Sequence, residues 1–414
     1  MIGPDGAARS RPAIIFVNRF FHPDLSATSQ LLSDLAFDLA TDHRVVVIAS
    51  RLRYDDPTAR LPTLERIRGV EARRLATTRF GRTGRHGRSM DLLSFHAAAL
   101  LALIHIARRG DVIVAKTDPP LLSVVAGLAA RLKGARLVNW LQDIYPEVAA
   151  ALGVRGLGGV GGRALEALRN ASLKGARGNV VLGERMANHL RSAGVAADRI
   201  GLIPNWTDET AITPIGAEHN PLRRAWGLEG RFVVAYSGNL GRAHEYETML
   251  GAAILLADEP AVRFLVIGDG HHAQALRAAA QASGLANIDF RPYQPSELLS
   301  QSLGAGDVHW ISLRPELEGL IVPSKVYGIL AAGRPIIAVS AADGEIARLI
   351  AECGCGLQVD PGDSSGLARA VRRLAADPEL TSQLGAAARL AITGPFSRAA
   401  ALAKWRAVLT AASA

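Results

Sequence analysis

The sequence predicts two doubly wound α/β domains. Three observations carry this reading. Val/Ile-rich runs of strand length alternate with Ala/Leu-rich segments of helix length along the whole chain, the series starts afresh near Phe232, and a polar stretch at 204–209 followed by loose chain to 221 separates the two series. A length of 414 residues fits two or three domains better than one core.

In the first series, strands are predicted at residues 13–17, 44–49, 111–116, 136–141, 178–182 and 200–203. Leu31, Leu32, Leu35, Ala36 and Leu39 repeat on one face of a helix that follows Ser26 and Thr28, whose hydroxyls are expected to cap it. The loop from Pro23 to Thr28 therefore opens above the carboxyl end of the first strand, where such folds keep ligands. In the second series, strands are predicted at 232–237, 264–267, 288–290, 308–312, 335–339 and 356–359.

The net charge of +9 is uneven: residues 1–205 carry 29 Lys and Arg against 17 Asp and Glu, and residues 206–414 carry 18 against 21. A basic first half serves nucleic acid or an anionic membrane face. No zinc finger, aromatic RNA-binding motif or helix-turn-helix pattern supports nucleic acid as a partner. Residues 1–12 lack the apolar core of a signal peptide, and Cys353 and Cys355 have a spacing that favours neither a mutual disulfide nor zinc. A cytoplasmic protein is expected.

The second half holds the densest chemistry. Glu316-Leu-Glu-Gly-Leu-Ile-Val-Pro-Ser-Lys325 sets two carboxylates, a turn and a lysine immediately before a predicted helix. Unpaired N–H groups at a helix start attract anions, Lys325 adds full charge, and Glu316 or Glu318 can take sugar hydroxyls. The plainer alternative is a helix capped by Ser324 with a solvated lysine. Tyr236-Ser-Gly-Asn-Leu-Gly-Arg-Ala-His-Glu245 follows the first strand of this half. Gly238 and Gly241 let backbone approach a diphosphate, and Asn239, Arg242 and His244 add donors. Gly268-Asp-Gly270 opens a Gly-x-Gly-x-x-Ala pattern with Asp289 further on, a weak dinucleotide fingerprint that supports a rival nicotinamide enzyme. It follows a later strand rather than the first, and Asp289 sits inside its apolar run, which disfavours that rival. His271 and His272 are adjacent, a poor metal spacing, and no motif calls for a divalent ion.

In the first half, Gln142-Asp-Ile-Tyr-Pro-Glu147 places Asp143 and Glu147 just beyond a buried strand, where a carboxylate orients a substrate or accepts a proton. For Glu147 a structural role at a helix start is an equal reading. Lys116-Thr-Asp-Pro-Pro120 brings Asp118 to the same edge. Arg79, Arg82, Arg85 and Arg88 lie in one glycine-containing loop ahead of the apolar run 90–107, which falls slightly short of the ~20 residues needed to span a bilayer. That run reads as a helix packed on the sheet, and the basic loop as a site for phospholipid or pyrophosphate.

Taken together, these segments resemble the family 4 glycosyltransferases of the GT-B fold, in the bacterial branch that builds O-antigen, colanic acid and other exopolysaccharides. The resemblance rests on Phe21-His-Pro-Asp-Leu-Ser-Ala-Thr-Ser-Gln-Leu-Leu32, Gln142 to Glu147, Ile203-Pro-Asn-Trp206, Tyr236 to Gly241, Gly268-Asp-Gly270, Val322-Pro-Ser-Lys325 and Ala331-Ala-Gly-Arg-Pro335. They occur in the family's order over nearly the whole chain. The resemblance implies two facing Rossmann-like domains with a cleft between them. Residues 1–205 form the acceptor side, residues 206–390 bind the nucleotide sugar, and a last helix in 391–414 packs back on the first domain.

It further implies that Gly238, Asn239 and Gly241 approach the diphosphate, that residues 290–293, including Arg291 and Tyr293, offer backbone to the base, and that Ser324 and Lys325 hold phosphate. Two departures stand out. The family's second glutamate of this segment, which binds ribose, is Gly328 here, and its donor-loop Arg and Lys correspond to Asn239 and His244. Lys325 and Arg242 are expected to supply the missing charge. The implied activity is retaining transfer of a sugar, without a metal, from a UDP-sugar to a lipid-linked saccharide by an enzyme held peripherally on the inner face of the cell membrane. Asp143, Lys325 and Glu318 are the expected catalytic groups, and Ser26, Thr28, Asp118 and Glu147 line the acceptor side. A non-catalytic membrane adaptor on the same scaffold is the remaining alternative.

Overall fold

A computed structural model describes residues 12–54, 56, 58–80, 85–154, 157 and 159–413. The chain forms two compact units, one of Met1–Pro204 with Ala401–Ala414 and the other of Asn205–Ala400.

The first unit is built on an eight-stranded sheet: β1 (Ala13–Val17), β2 (Arg44–Ser50), β3 (Leu64–Ile67), β4 (Val70–Leu75), β5 (Val112–Lys116), β6 (Arg136–Trp140), β7 (Gly178–Val181) and β8 (Ile200–Leu202). Their order is β3-β4-β2-β1-β5-β6-β7-β8, and every pair is parallel except β3 with β4. β1 and β5 are buried at every position because helices cover both faces, which is why they read as unbroken apolar runs. The β3–β4 hairpin was not foreseen. Its strands mix charged with apolar residues, and Arg68 and Gly69 form a two-residue turn with φ of 47° and 88°, the positive pair that a tight hairpin needs.

Leu31, Leu32, Leu35, Ala36 and Leu39 are all buried on the helix Ala27–Leu39, as their spacing predicts. The capping expectation is corrected: the Ser26 hydroxyl donates to Asp24 Oδ1 at 2.5 Å instead of accepting from the helix. The helix Arg85–Ile106 buries Phe95, Ala99 and Leu103 and leaves Met90, Leu93 and Leu101 exposed. Its segment Gly87–Ile106 is long and apolar enough to cross a membrane by length and composition alone. The chain's last helix, Arg398–Ser413, supplies Trp405, whose fully buried ring lies 4.5 Å from that of Trp140. Arg406 adds ion pairs to Asp38 at 2.7 Å and Asp42 at 2.8 Å.

The second unit holds six parallel strands: β9 (Phe232–Ser237), β10 (Val262–Ile267), β11 (Ile288–Arg291), β12 (Val308–Ser312), β13 (Ile336–Val339) and β14 (Gly356–Val359), in the order β11-β10-β9-β12-β13-β14. In each sheet the chain fills one side of its first strand and then jumps to the other. The switch lies between β1 and β5 in the first unit and between β9 and β12 in the second. In such sheets the loops leaving the carboxyl ends of strand pairs at the switch point diverge, and this is the usual ligand position.

Candidate active site

At the switch point of the second unit, the turn after β9 and the segment after β12 are joined. Arg314 N–H donates to the Ala243 carbonyl at 3.0 Å. His244 is buried beneath this junction, with Nδ1 2.6 Å from the Ser312 carbonyl and Nε2 2.9 Å from Lys325 Nζ. Burial, reinforced by the Lys325 charge, pushes the imidazole pKa down to about 3. Burial also lowers the Lys325 ammonium to about 8. The lysine stem runs along Gly238, and its Nζ stands 5.4 Å from the Tyr236 ring centroid.

The glycines of this region are consumed by close packing of loops. Gly238 has φ of 129°, and a Cβ there would meet Lys325 Cε at 2.6 Å; one on Gly268 would meet the Gly238 carbonyl at 2.4 Å. At Gly270 the clash would be with Asn239 Oδ1 and the Leu240 carbonyl, both at 2.5 Å. The Gly-x-Gly-x-x-Ala pattern is thereby explained as the floor on which the β9 turn rests, which removes the main support for a nicotinamide enzyme.

The other expected donor-side residues divide by their partners. Tyr293 is 56% exposed and lies beside Gly268. Gly241 closes the turn next to the Asn239 amide, and Arg242 is exposed. The Arg291 carbonyl accepts from Gly268 N–H at 2.9 Å, while its guanidinium lies near Asp289 and the Trp226 ring. Glu316 pairs with Arg314. Glu318 accepts from the Glu345 amide at 3.4 Å, at the start of the helix Glu345–Cys353. Ser324 makes no capping bond, and the helix Lys325–Ala331 has only 7 residues, so charge at this edge comes from Lys325 rather than from a helix end.

At the switch point of the first unit, Lys116 is fully buried. Its Nζ donates to the Thr28 carbonyl at 2.8 Å and sits 3.6 Å from the Trp140 ring centroid. Desolvation depresses its pKa well below the usual range, while Asp118 and Asp143 support its charge. Both carboxyls are pushed up to about 6, Asp118 by burial and by Asp24 against the pull of Arg19, and Asp143 by burial and by Asp118. Arg19 was not singled out from the sequence. It directly follows the Asn18 that ends β1's run, its N–H donates to the Asp118 carbonyl at 2.7 Å, and its Nε is buried.

A cavity of about 20 Å³ lies behind this cluster, lined by Lys116, Asn139, Asp143, Tyr145 and Arg169 among others. It has room for about one water. Glu147 is held by Arg169 at 2.5 Å and His189 at 3.1 Å; burial alone raises its pKa, but these bonds bring it below the usual value. Ser26 is bonded to Asp24, and Thr28 contributes its carbonyl to Lys116. Arg79 and Arg88 are exposed, and Arg88 lies on the helix Arg85–Ile106 rather than in the expected loop, because the helix starts ahead of the apolar run; Arg82, the side chain of Arg85 and the segment 1–11 lie outside the described residues. Among the described residues no group of three or more His, Cys, Asp and Glu is arranged to hold a metal ion.

Two family descriptions match the chain, "Glycosyl transferase 4-like domain" over residues 27–206 and "Glycosyl transferases group 1" over residues 231–377. The probable glycosyltransferase WbjE of Pseudomonas aeruginosa is 31% identical over 73% of this chain and 74% of its own. The putative colanic acid biosynthesis glycosyl transferase WcaI of Escherichia coli K12 is 29% identical over 59% and 61% respectively. Among solved structures, HepE of Anabaena in complex with UDP-glucose superposes with a TM-score of 0.73 at 18% identity, covering 97% of this chain and all of that one. Two Rossmann-like sheets in this order define the GT-B class. The chain belongs to the family 4-like, group 1 glycosyltransferases and is a glycosyltransferase.

Proposed function

We propose that this glycosyltransferase moves a sugar from a UDP-sugar, with retention at the anomeric carbon, to a lipid-linked saccharide in bacterial cell-surface polysaccharide synthesis. The single observation that carries the donor assignment is Lys325, a half-buried lysine laid against the turn after β9 at the switch point of the second unit. HepE, which shares the fold, binds UDP-glucose, and WcaI is named for colanic acid synthesis.

In this reading the bond between the anomeric carbon and the β-phosphate oxygen breaks, and the acceptor hydroxyl oxygen bonds to that carbon from the same face. Its proton passes to the departing phosphate. Lys325 stabilises the charge that grows on the leaving group, the main protein contribution to such a step. Arg242, exposed on the same turn, adds screening charge. Asp143 and Asp118, with Arg19 beside Asp118, orient the acceptor or the transferred sugar. The exposed Met90, Leu93 and Leu101, with Arg79 and Arg88, are the proposed contact with the inner membrane face.

Calorimetry with UDP tests the donor site. Lys325→Ala is expected to weaken binding by about 1.5–3 kcal/mol, the scale of a charge-assisted hydrogen bond. Unchanged affinity in a folded variant sinks the assignment. Proton NMR of the product from UDP-glucose, or from another UDP-sugar that supports turnover, reads the anomeric configuration, and inversion refutes the retaining step.

A further inference from the structure

The resemblance sets His244 where a donor-loop lysine is usual, and the geometry gives it another task. We infer that His244 does not meet the diphosphate as a cation but is a positioning residue, a neutral hydrogen-bond acceptor that holds and aims the ammonium of Lys325. This rests on the donor reading above and deepens it by naming the histidine that holds the phosphate-facing lysine.

The proton placement follows from the partners. The Ser312 carbonyl can only accept, so His244 Nδ1, 2.6 Å away, carries the hydrogen. A second proton on Nε2 would create an imidazolium in a buried site 2.9 Å from Lys325 Nζ. Desolvation and like charge both oppose that form. Nε2 therefore presents its lone pair, and Lys325 donates to it. Around the pair stand the Tyr236 ring, 5.9 Å from that of His244 by centroid, and His272, whose charge further disfavours a second proton on His244. Among the described residues no carboxylate enters the balance of either group. A lysine tied to a neutral acceptor keeps its full charge for an anion, whereas one paired to a carboxylate would have it cancelled. Gly238 leaves the space through which the stem reaches this position.

Two substitutions separate the two ring nitrogens. In His244→Gln the amide oxygen stands near the place of Nε2 and still accepts from Lys325. In His244→Asn the shorter amide stands near Nδ1 and keeps only the bond to Ser312. UDP affinity at pH 7 is expected to fall about tenfold or more in the Asn variant and to stay within about threefold of wild type in the Gln variant. The pH at which UDP binding weakens should shift in the Asn variant alone.

¹⁵N-histidine NMR of the wild-type protein provides a measurement independent of variant folding. One neutral ring with hydrogen on Nδ1, not titrating above pH 5, is expected, and its Nε2 resonance should move when UDP is added. An Nε2–H tautomer for His244, or equal affinities and pH profiles for the two variants, overturns the positioning role. Failure of the wild-type protein to bind UDP or UDP-sugars overturns the donor reading itself, with or without the predicted tautomer.

Discussion

A Cβ on Gly238 and the Cε of Lys325 would stand 2.6 Å apart, so the glycine's missing side chain and the lysine's stem occupy the same space. Gly238→Ala is therefore expected to do two things at once. It places an L side chain at φ 129° and it displaces Lys325. We expect a loss of about 1–3 kcal/mol of stability in denaturant titration, together with a loss of UDP affinity comparable to that of Lys325→Ala. A variant with normal UDP binding would show that the lysine reaches its anion by another route.

Lys325 is expected to set a pH limit on donor binding. Its ammonium is held at about 8 in the free protein, and a bound diphosphate raises that value. Between the two values the free protein loses a proton that the complex retains, so affinity falls with rising pH, by at most about tenfold per unit for one proton. Isothermal titration with UDP from pH 7 to 9.5 should show the decline in wild type and little of it in Lys325→Ala.

Asp143 and Asp118 are expected to trade stability for turnover. Their folded values of about 6 exceed the ordinary carboxyl range, so the folded state binds protons more tightly than the unfolded chain. Stability from this source is complete below about pH 4 and is lost as pH rises through 6. Asp143→Asn should raise unfolding free energy by about 1–3 kcal/mol at pH 8, with the gain shrinking at pH 5. Turnover should fall far more than UDP affinity. If UDP affinity collapses while the rate at saturating donor stays normal, Asp143 has been assigned the wrong task.

Membrane attachment is expected to have two separable parts. Each exposed arginine near an anionic surface contributes about 1 kcal/mol at most, screened over roughly 8 Å at physiological salt. Changing Arg79, Arg82, Arg85 and Arg88 to serine should weaken co-sedimentation with phosphatidylserine vesicles at low salt while UDP binding is kept. Changing the exposed Met90, Leu93 and Leu101 to serine should remove the part that survives high salt. Absence of wild-type sedimentation at low salt would leave this face without a membrane role.

The parallel strands were legible because burial on both faces leaves an unmistakable apolar run, as in Ile14 to Val17 and Val233 to Tyr236. The β3–β4 hairpin was not, because an edge strand such as Leu64–Ile67 carries the adjacent charges of Glu65 and Arg66, which read as loop. Lys325 was visible as a lysine in a turn before a helix. Its contact with His244 spans 81 positions and depends on two strands being neighbours, which no local pattern encodes. Arg19 was passed over for a similar reason: its closeness to Asp118 follows from the pairing of β1 with β5. Glu318 looked like a ligand-facing acid, and its partner, the amide of Glu345, lies 27 residues on and was equally invisible.

Trp405 has a consequence for how the chain comes to be folded. A ribosome that has released residues 12–204 has not yet made the indole that covers Trp140, and almost two hundred residues of the other unit must emerge first. The second unit, continuous from Asn205 to Ala400, has all its parts in hand earlier. The first unit thus waits with an unfinished surface and is the one exposed to chaperones and proteases during synthesis. Termination at residue 400 would spare every side chain of the second unit yet leave the first one permanently open around Trp140.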